Sequence, residues 1–388
     1  METIIVVPSY WSKDGFPEIY DHPTLLEAKD KEILSRLLVS LRILKGSFKV
    51  IVIGVITDQK LEQETQNVIN EIVNSFPDLN ITHFHNSHLR ELRRQFEKMG
   101  IAKELTKRLS MHGYGNVRNI CLLIPYIMGA EFIILLDDDE IVMDKDFIER
   151  TREFVGKKLQ GKIVGGIAGV YVEETVQYTP KEREWWGRFW KKRNSMQQVL
   201  NVLNSGKRLK RAPLALGGNM VIYRSLAAEV PFDPFIYRGE DIDYLWNAKH
   251  FGFEFLYDNR LRIIHRPPVH RTPRWEQIER DLKRFVYQRE KNRFLKIPLS
   301  FLGQYPGYFL RKDLRIRGFL TCLLLALDYL IRKHLNDSKK ALYTAIKALF
   351  WGRSSKKKVK SYLKFQQDWA RLMKTLTQKK NEVAKLIS

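Results

Sequence analysis

Along the first 270 positions, short unbroken apolar runs alternate with stretches whose apolar residues recur every three or four places. Residues 3–7 form one such run and stop at Pro8-Ser9-Tyr10, and Val50–Ile56 forms another that stops at Thr57-Asp58. Between them Leu34, Leu37, Leu38, Leu41 and Leu44 mark one face of a helix over Leu25–Leu44, closed by Gly46. A helix over Leu61–Phe76 and a short strand over Asn80–Phe84 follow. Strands covered by helices on both faces read as continuous apolar runs. This order therefore predicts an α/β fold with right-handed crossovers, a Rossmann-like, doubly wound and mainly parallel sheet.

The pattern continues with a charged helical region over 86–110 and a loop over Met111–Asn116. Asn116 is placed to cap a helix carrying Arg118 and Asn119. Pro125 should kink or end that helix. Gly129 then leads into Phe132-Ile133-Ile134-Leu135-Leu136, five apolar residues halted by Asp137-Asp138-Asp139-Glu140. A glycine-rich strand over Ile163–Val172 comes next, and Gly217-Gly218 precede a strand over Asn219–Arg224. Arg238-Gly239-Glu240-Asp241 opens a helix ending near Gly252, and the strand Leu261–His265 meets Pro267-Pro268. From about Trp275 the spacing is helical, with breaks near Pro298 and Pro306.

Charge divides the chain. Of the formal +23, residues 271–388 carry 29 Lys and Arg against 9 Asp and Glu, which leaves residues 1–270 near neutral. The expected organisation is an α/β domain over 1–270, interrupted by a basic, aromatic insertion over 180–211, and a basic helical region over 271–388. The insertion carries Trp185-Trp186-Gly187-Arg188-Phe189-Trp190. These rings suit stacking on a ligand, a membrane interface, or a plain buried contact. A basic tail attracts anionic partners such as phospholipid head groups, anionic glycans or nucleic acid. A hydrophobic share of 44% with 12% aromatics excludes general disorder. Cys121 and Cys322 alone make neither a disulfide framework nor a zinc site, which suits a reducing compartment. The N-terminus reads directly as a strand, and no run approaches the ~20 apolar residues of a spanning helix. A cytoplasmic protein, peripheral on the inner face of the membrane, is the expectation.

The four consecutive carboxylates carry the chemistry. Ligands of open α/β sheets bind beyond the carboxyl ends of the strands. Crowded carboxylates repel one another unless a cation neutralises them. Mg²⁺ or Mn²⁺ commonly bridges carboxylates to substrate phosphates. A metal–diphosphate site is one reading, and a solvated acidic turn is the other.

Together these residues resemble a GT-A glycosyltransferase of the family 2 type, in element order over roughly residues 3–300. The apolar strand ending in Asp137-Asp138-Asp139 is similar to the Asp-X-Asp motif of that fold. The resemblance implies that Asp137 contacts the nucleotide and Asp139 ligates the metal, with Asp138 and Glu140 as extra neighbours. It also implies a nucleotide site from Pro8, Ser9 and Tyr10 at the first strand's end, and from Asp58, where the base is often bonded. Gly115-Asn116-Val117-Arg118-Asn119 resembles the family's Gly-X-X-Arg-Asn helix start, and Gly218 joins the same set. Gly239-Glu240-Asp241 resembles the motif that supplies the catalytic base. Asp241 is then the base, Glu240 positions the acceptor, and Asp243 is the rival. His265, or more weakly His270, matches a histidine on the metal or diphosphate, so the metal set is Asp139, Asp137 and His265. Tyr287–Asn292 with Arg293 resembles a helix that follows the catalytic domain, but the Gln-X-X-Arg-Trp motif of processive synthases is not intact.

What this implies is a metal-dependent transferase using Mn²⁺ or Mg²⁺ and a nucleoside-diphosphate sugar. UDP-sugar is favoured, with GDP- and dTDP-sugars as the other donors, and the expected reaction inverts the anomeric centre. The implied acceptor is a lipid-linked or envelope glycan. Two other classes stay open. A nucleotidyltransferase would need a glycine-rich phosphate loop after the first strand, where Pro8-Ser9-Tyr10-Trp11 stands. A basic nucleic-acid-binding module would leave the aspartates unexplained, so a nucleic-acid partner is not expected.

Overall fold

The computed structural model describes residues 2–13, 20, 23–26, 31–172, 185–211, 213–267, 272–352 and 354–379. His270 lies outside them. In chain order the strands are β1 Thr3–Ser12, β2 Thr24–Leu25, β3 Lys49–Ile56, β4 Ile81–Phe84, β5 Phe132–Leu135, β6 Glu140–Val142, β7 Lys158–Leu159, β8 Lys162–Val172, β9 Leu209–Arg211, β10 Met220–Tyr223 and β11 Glu254–His265. The helices are α1 Glu32–Leu41, α2 Glu62–Asn74, α3 Asn86–Lys98, α4 Lys103–Thr106, α5 Tyr114–Ile127, α6 Phe147–Arg152, α7 Lys192–Asn204, α8 Arg224–Glu229, α9 Glu240–His250, α10 Arg274–Leu295, α11 Leu299–Leu302, α12 Leu314–Ile331, α13 Leu335–Ala348 and α14 Ser355–Gln378.

The main sheet has the order β4-β3-β1-β5-β10-β8-β11-β6. β4, β3, β1 and β5 are mutually parallel. β10 runs antiparallel to both β5 and β8, and β11 is parallel to β8. β6 returns antiparallel on β11. Six of these eight strands therefore share one direction, as the doubly wound expectation requires. The apolar runs form the core: Ile5, Val7, Val52, Ile134 and Val221 are essentially without solvent contact, and Leu34, Leu37, Leu38 and Leu41 cover them from α1.

Several local expectations change. The helix expected over Leu25–Leu44 is confined to Glu32–Leu41, and Leu25 lies in β2. β1 continues past Pro8 to Ser12, because β5 pairs only with Thr3–Val6 and beyond it Pro8 faces no partner that needs its missing N–H. α5 runs through Pro125 and ends two residues later, so the proline sits in the final turn, where little helix remains to break. Asn116 lies inside α5 and donates back to the His112 carbonyl at 2.8 Å, so it does not cap the helix.

The chain forms two compact units: Met1–Glu174 with Lys207–His270 and Leu363–Ser388, and Thr175–Gly206 with Arg271–Tyr362. Residues 175–206 thus fall with the second unit and 363–388 with the first, and packing explains both placements. In the second unit Trp186 and Trp190 are buried, with Trp190 edge-on to Phe309 at 5.0 Å. Trp185 donates to Asp328 at 2.7 Å, and Lys192 pairs with Asp281 at 2.6 Å. Trp186 and Trp190 thus pack within this unit, while Trp185 stays 45% exposed. In the first unit Trp369 is fully buried and donates to the Ala227 carbonyl at 2.9 Å. The Thr377 hydroxyl lies 2.6 Å from that of Tyr126.

Candidate active site

β1 lies between β3, which follows it, and β5, which comes much later, so strand order reverses at the β1/β5 boundary. Ligands of such sheets bind in the crevice outside the strand ends at that reversal. The acidic turn follows β5 there. Its form is set by Glu140, which is fully buried and accepts the Asp137 N–H at 2.8 Å, while its own N–H reaches the Asp137 carbonyl. Burial, then Asp137 and Asp139, hold the Glu140 carboxyl well above the usual carboxylate range.

The three aspartates diverge. Asp137 Oδ1 takes the Arg118 guanidinium at 2.7 Å. Asp138 turns inward and accepts the Ser9 hydroxyl at 2.6 Å and, more weakly, that of Thr24 at 3.4 Å. Burial and then Asp139 raise its pKa well above the usual range, opposed by the Ser9 hydrogen bond. Asp139 is buried, with Oδ2 3.5 Å from His265 Nε2 and Oδ1 without a hydrogen-bond partner. The β6–β11 register explains this pair, because it sets His265 opposite Glu140. The Arg266 N–H also donates to the Asp139 carbonyl at 2.8 Å.

The second carboxylate motif opens α9. Gly239 precedes it at φ +69°, a left-handed conformation that glycine adopts without penalty. Glu240 is buried and lies 3.6 Å from Arg118 Nε. Burial first and Asp241 second lift its pKa from 4.5 to about 7, with Arg118 pulling the other way. Asp241 is half-buried, and its Oδ1 accepts the Ile242 N–H at 2.7 Å. Arg118 is itself 3% exposed, so one buried guanidinium joins the acidic turn to the Glu-Asp motif.

Two glycines admit this crowding. A Cβ on Gly218 would overlap Glu140 Oε1 and lie 2.7 Å from Asp137 Oδ2. One on Gly217 would lie 3.1 Å from Arg118 Nη2 and 3.4 Å from Asp241 Oδ2. The Gly218 N–H donates to the Tyr171 hydroxyl at 2.9 Å, and the Tyr171 ring stacks on His265 at 4.6 Å.

Several expected ligand residues are also hydrogen-bonded or packed within the fold. Asn119 clips the Phe232 backbone, donating to its carbonyl at 3.0 Å and accepting its N–H at 2.8 Å, because a buried amide must spend its hydrogen bonds inside. Ser9 is buried between Asp138 and the Trp11 indole, which donates to it at 2.8 Å. Pro8 is a buried strand residue. Tyr10 is buried against Tyr20 at 4.4 Å and Tyr114 at 5.3 Å. Asp243 is fully buried and accepts from Asn247 at 3.1 Å. Asp137, expected among the metal ligands, has one oxygen committed to Arg118. Asp58 stays exposed beyond β3 and caps the Lys60 N–H at 2.9 Å. Tyr171 and Tyr20 escaped the sequence reading. Tyr171 stands near the end of a glycine-rich strand, but its contact with His265 depends on a strand register that residue pattern does not encode.

Among the described residues, no group of three or more His, Cys, Asp or Glu forms a complete metal nest. Asp139 and His265 would supply two ligands, and the unpartnered Asp139 Oδ1 faces the need for a cation. That fits Mg²⁺ or Mn²⁺, which are held by one or two side chains plus phosphate and water oxygens.

No protein-family model matches the chain, and no curated protein matches it. Among solved structures, it is similar to a mannosyltransferase from Pyrobaculum calidifontis in complex with GDP-mannose and Mn²⁺, at 12% identity and TM-score 0.48, covering 91% of this chain and 88% of that one. It is also similar to glucosyl-3-phosphoglycerate synthase from Mycobacterium tuberculosis with Mn²⁺, UDP-glucose and phosphoglyceric acid, at 14% identity and TM-score 0.38, covering 76% and 80%. The same enzyme with Mg²⁺ and UDP matches at 14% identity and TM-score 0.35, covering 73% and 79%. Likenesses at this level decide no residue's role, which rests on the geometry above.

Proposed function

We propose that this chain is a metal-dependent glycosyltransferase of the GT-A type, moving a sugar from a nucleoside-diphosphate donor to an acceptor hydroxyl. One observation carries the reading: buried Arg118 spans Asp137 and Glu240, so the acidic turn and the Glu-Asp motif form one site with Asp139 and His265 beside it. A buried acidic cluster with a spare carboxylate oxygen suits a cation more than a solvated turn. β1 continues as strand through Pro8–Ser12, where a nucleotidyltransferase needs a phosphate loop.

In this reading Asp139 and His265 hold the divalent ion, which when bound stabilises the departing diphosphate as a Lewis acid. Asp137 is held by Arg118 toward the nucleotide, and Asp58 stands at the sheet's carboxyl edge for the base. Half-buried Asp241 takes the acceptor hydroxyl proton, while buried Glu240 orients the acceptor. The acceptor oxygen bonds the anomeric carbon as its bond to the diphosphate oxygen breaks, with inversion. UDP-sugars are the favoured donors.

The acceptor is a lipid-linked or envelope glycan, reached from the cytoplasmic membrane face. Support comes from the charge of 271–388, since each basic residue near an anionic surface contributes ~1 kcal/mol. No helix among the described residues is long and apolar enough to cross a membrane.

A hydrolysis screen of UDP-, GDP- and dTDP-sugars with and without Mn²⁺ tests the chemistry. Metal-dependent cleavage of one donor, lost in Asp139→Ala and Asp241→Asn, is expected. Undiminished activity in both variants would remove the site assignment.

A further inference from the structure

Among its described residues the second unit exposes an apolar face. α12 and α13 are joined by three residues, pack on each other, and both pack on α10. Their buried stripes include Cys322 and Leu325 on α12, and Ala341, Ala345 and Ala348 on α13. The faces turned away from α10 are not polar. Leu327, Leu330 and Ile331 on α12, with Leu342, Ile346 and Phe350 on α13 and its end, are between 45% and 74% exposed. Their spacing of three and four residues puts each trio on one helical stripe. An exposed apolar patch of this kind on a water-soluble surface marks an interaction site.

Charge selects the occupant. Residues 311–360 contain fourteen Lys and Arg and three Asp. Two of the three Asp are ion-paired in place, Asp313 with Arg317 at 3.1 Å and Asp328 with Arg332 at 3.0 Å, while Asp337 accepts the uncharged Trp275 indole N–H at 3.0 Å, so the excess of positive charge stands. Lys333, Lys339, Lys356 and Lys357 remain exposed. A second copy of the chain would bring the same positive face against it. A nucleic acid would offer phosphates to the lysines but nothing to six exposed aliphatic and aromatic side chains. Only a surface that is anionic outside and apolar just beneath satisfies both sets of residues.

We infer that the outer face of the α12–α13 hairpin inserts into the headgroup–acyl boundary of an anionic lipid leaflet. Leu327, Leu330, Ile331, Leu342, Ile346 and Phe350 enter the acyl region, and the lysines stay among the head groups, the arrangement of interfacial amphipathic helices. The inference rests on the peripheral attachment proposed above and adds apolar insertion to it.

The test uses the full chain with zwitterionic and anionic phosphatidylcholine/phosphatidylglycerol vesicles. Leu342→Cys, labelled with an environment-sensitive dye, reports insertion directly, since Cys121 and Cys322 are buried. A blue shift with anionic vesicles only is expected. The double variant Leu330→Ser/Ile346→Ser should partition about tenfold more weakly while keeping its circular dichroism melt. Salt-sensitive sedimentation with no dye shift and no loss in the double variant would overturn insertion and leave electrostatic attachment standing. Absence of binding to any vesicle would overturn both. Self-association abolished by the double variant, without vesicle binding, would assign the face to a second copy and overturn the inference. Donor hydrolysis in solution is read separately, so the transferase reading stands or falls on its own.

Discussion

In the smaller unit buried charge meets its opposite or an aromatic face. Lys192 pairs with Asp281 at 2.6 Å, Lys291 sits over the Tyr362 ring at 3.9 Å, and Arg317 lies 3.9 Å from the Tyr308 ring centroid. In the larger unit Asp138, Asp139, Glu140 and Glu240 are all buried with a single buried arginine among them. Burial first, and neighbouring carboxylates second, raise the pKa of Asp138, Glu140 and Glu240: Asp139 acts on Asp138, Asp137 and Asp139 on Glu140, and Asp241 on Glu240. Opposite charges buried together stabilise a fold at best modestly. Like charges buried together cost stability and persist where a ligand relieves them. The contrast separates scaffold from site without reference to any relative.

The sharpest way to break that contrast is to remove the atom with the most unmet demand. Asp139→Ala should lower metal-dependent donor turnover by about 10³-fold, and His265→Ala should weaken Mn²⁺ binding by about 10- to 100-fold. Calorimetric Mn²⁺ titration and hydrolysis rates measure the two. Unchanged Mn²⁺ affinity in both variants would make Asp139 and His265 scaffold after all.

The next effect is in pH. Glu240 has a folded-state pKa of about 7 against 4.5 ordinarily. Between these values the folded protein keeps a proton that the unfolded chain releases. The stability this group contributes is therefore full below about pH 4.5 and is lost as pH rises through 7, on the order of 3 kcal/mol in all. Denaturant melts from pH 4.5 to 8 should show this fall, and Glu240→Gln should flatten it. Asp241→Asn should move the fall to lower pH, because the Asp241 charge raises the Glu240 pKa.

The parts visible in the sequence are those set by local pattern. Apolar runs such as Ile133–Leu136 and Val50–Ile56 read as buried strands because solvent-free strands need no polar alternation. Asp137–Glu140 alone read either as a metal–diphosphate site or as a solvated turn, and the company of Arg118-Asn119, Glu240-Asp241 and His265 favours chemistry. What the sequence hid depends on long-range pairing. Nothing near Asp138 announces that Ser9, 129 residues earlier, would claim it. The same holds for the stacking of Tyr171 on His265, and for Asn119 fastening Phe232. The tryptophans at 185–190 drew attention as a binding surface because composition does not say what packs on them. In the structure Phe309 and Asp328 do.

A matched pair of neutralisations sharpens the comparison further. Asp281→Asn removes the partner of Lys192, whose side chain is 21% exposed, and should destabilise the protein by about 2 kcal/mol. Asp139→Asn removes one of several crowded charges and should leave the metal-free protein as stable as before, or more so. Equilibrium urea unfolding without divalent metal gives both values. Equal losses would mean that the acidic turn is held together as the Lys192 pair is, and the distinction between the two kinds of burial would fail.

The smallest effect concerns the residue pair assigned to the nucleotide by resemblance and to the frame by geometry. Ser9 donates to Asp138 and accepts from Trp11, and all three side chains are buried. Ser9→Ala should cost about 1 kcal/mol, the usual net worth of a hydrogen bond, since both partners lose one contact but keep their packing. Donor affinity should change by less than about threefold, because the hydroxyl points at Asp138 and not into the crevice. Ser9→Thr distinguishes the two roles. Its added methyl must be taken up in a fully buried strand, so stability should fall further while any donor contact made by the hydroxyl is retained. If Ser9→Ala instead weakens donor binding tenfold with stability intact, Ser9 and Asp138 belong to the site, and the inward turn of Asp138 is relieved when the nucleotide binds.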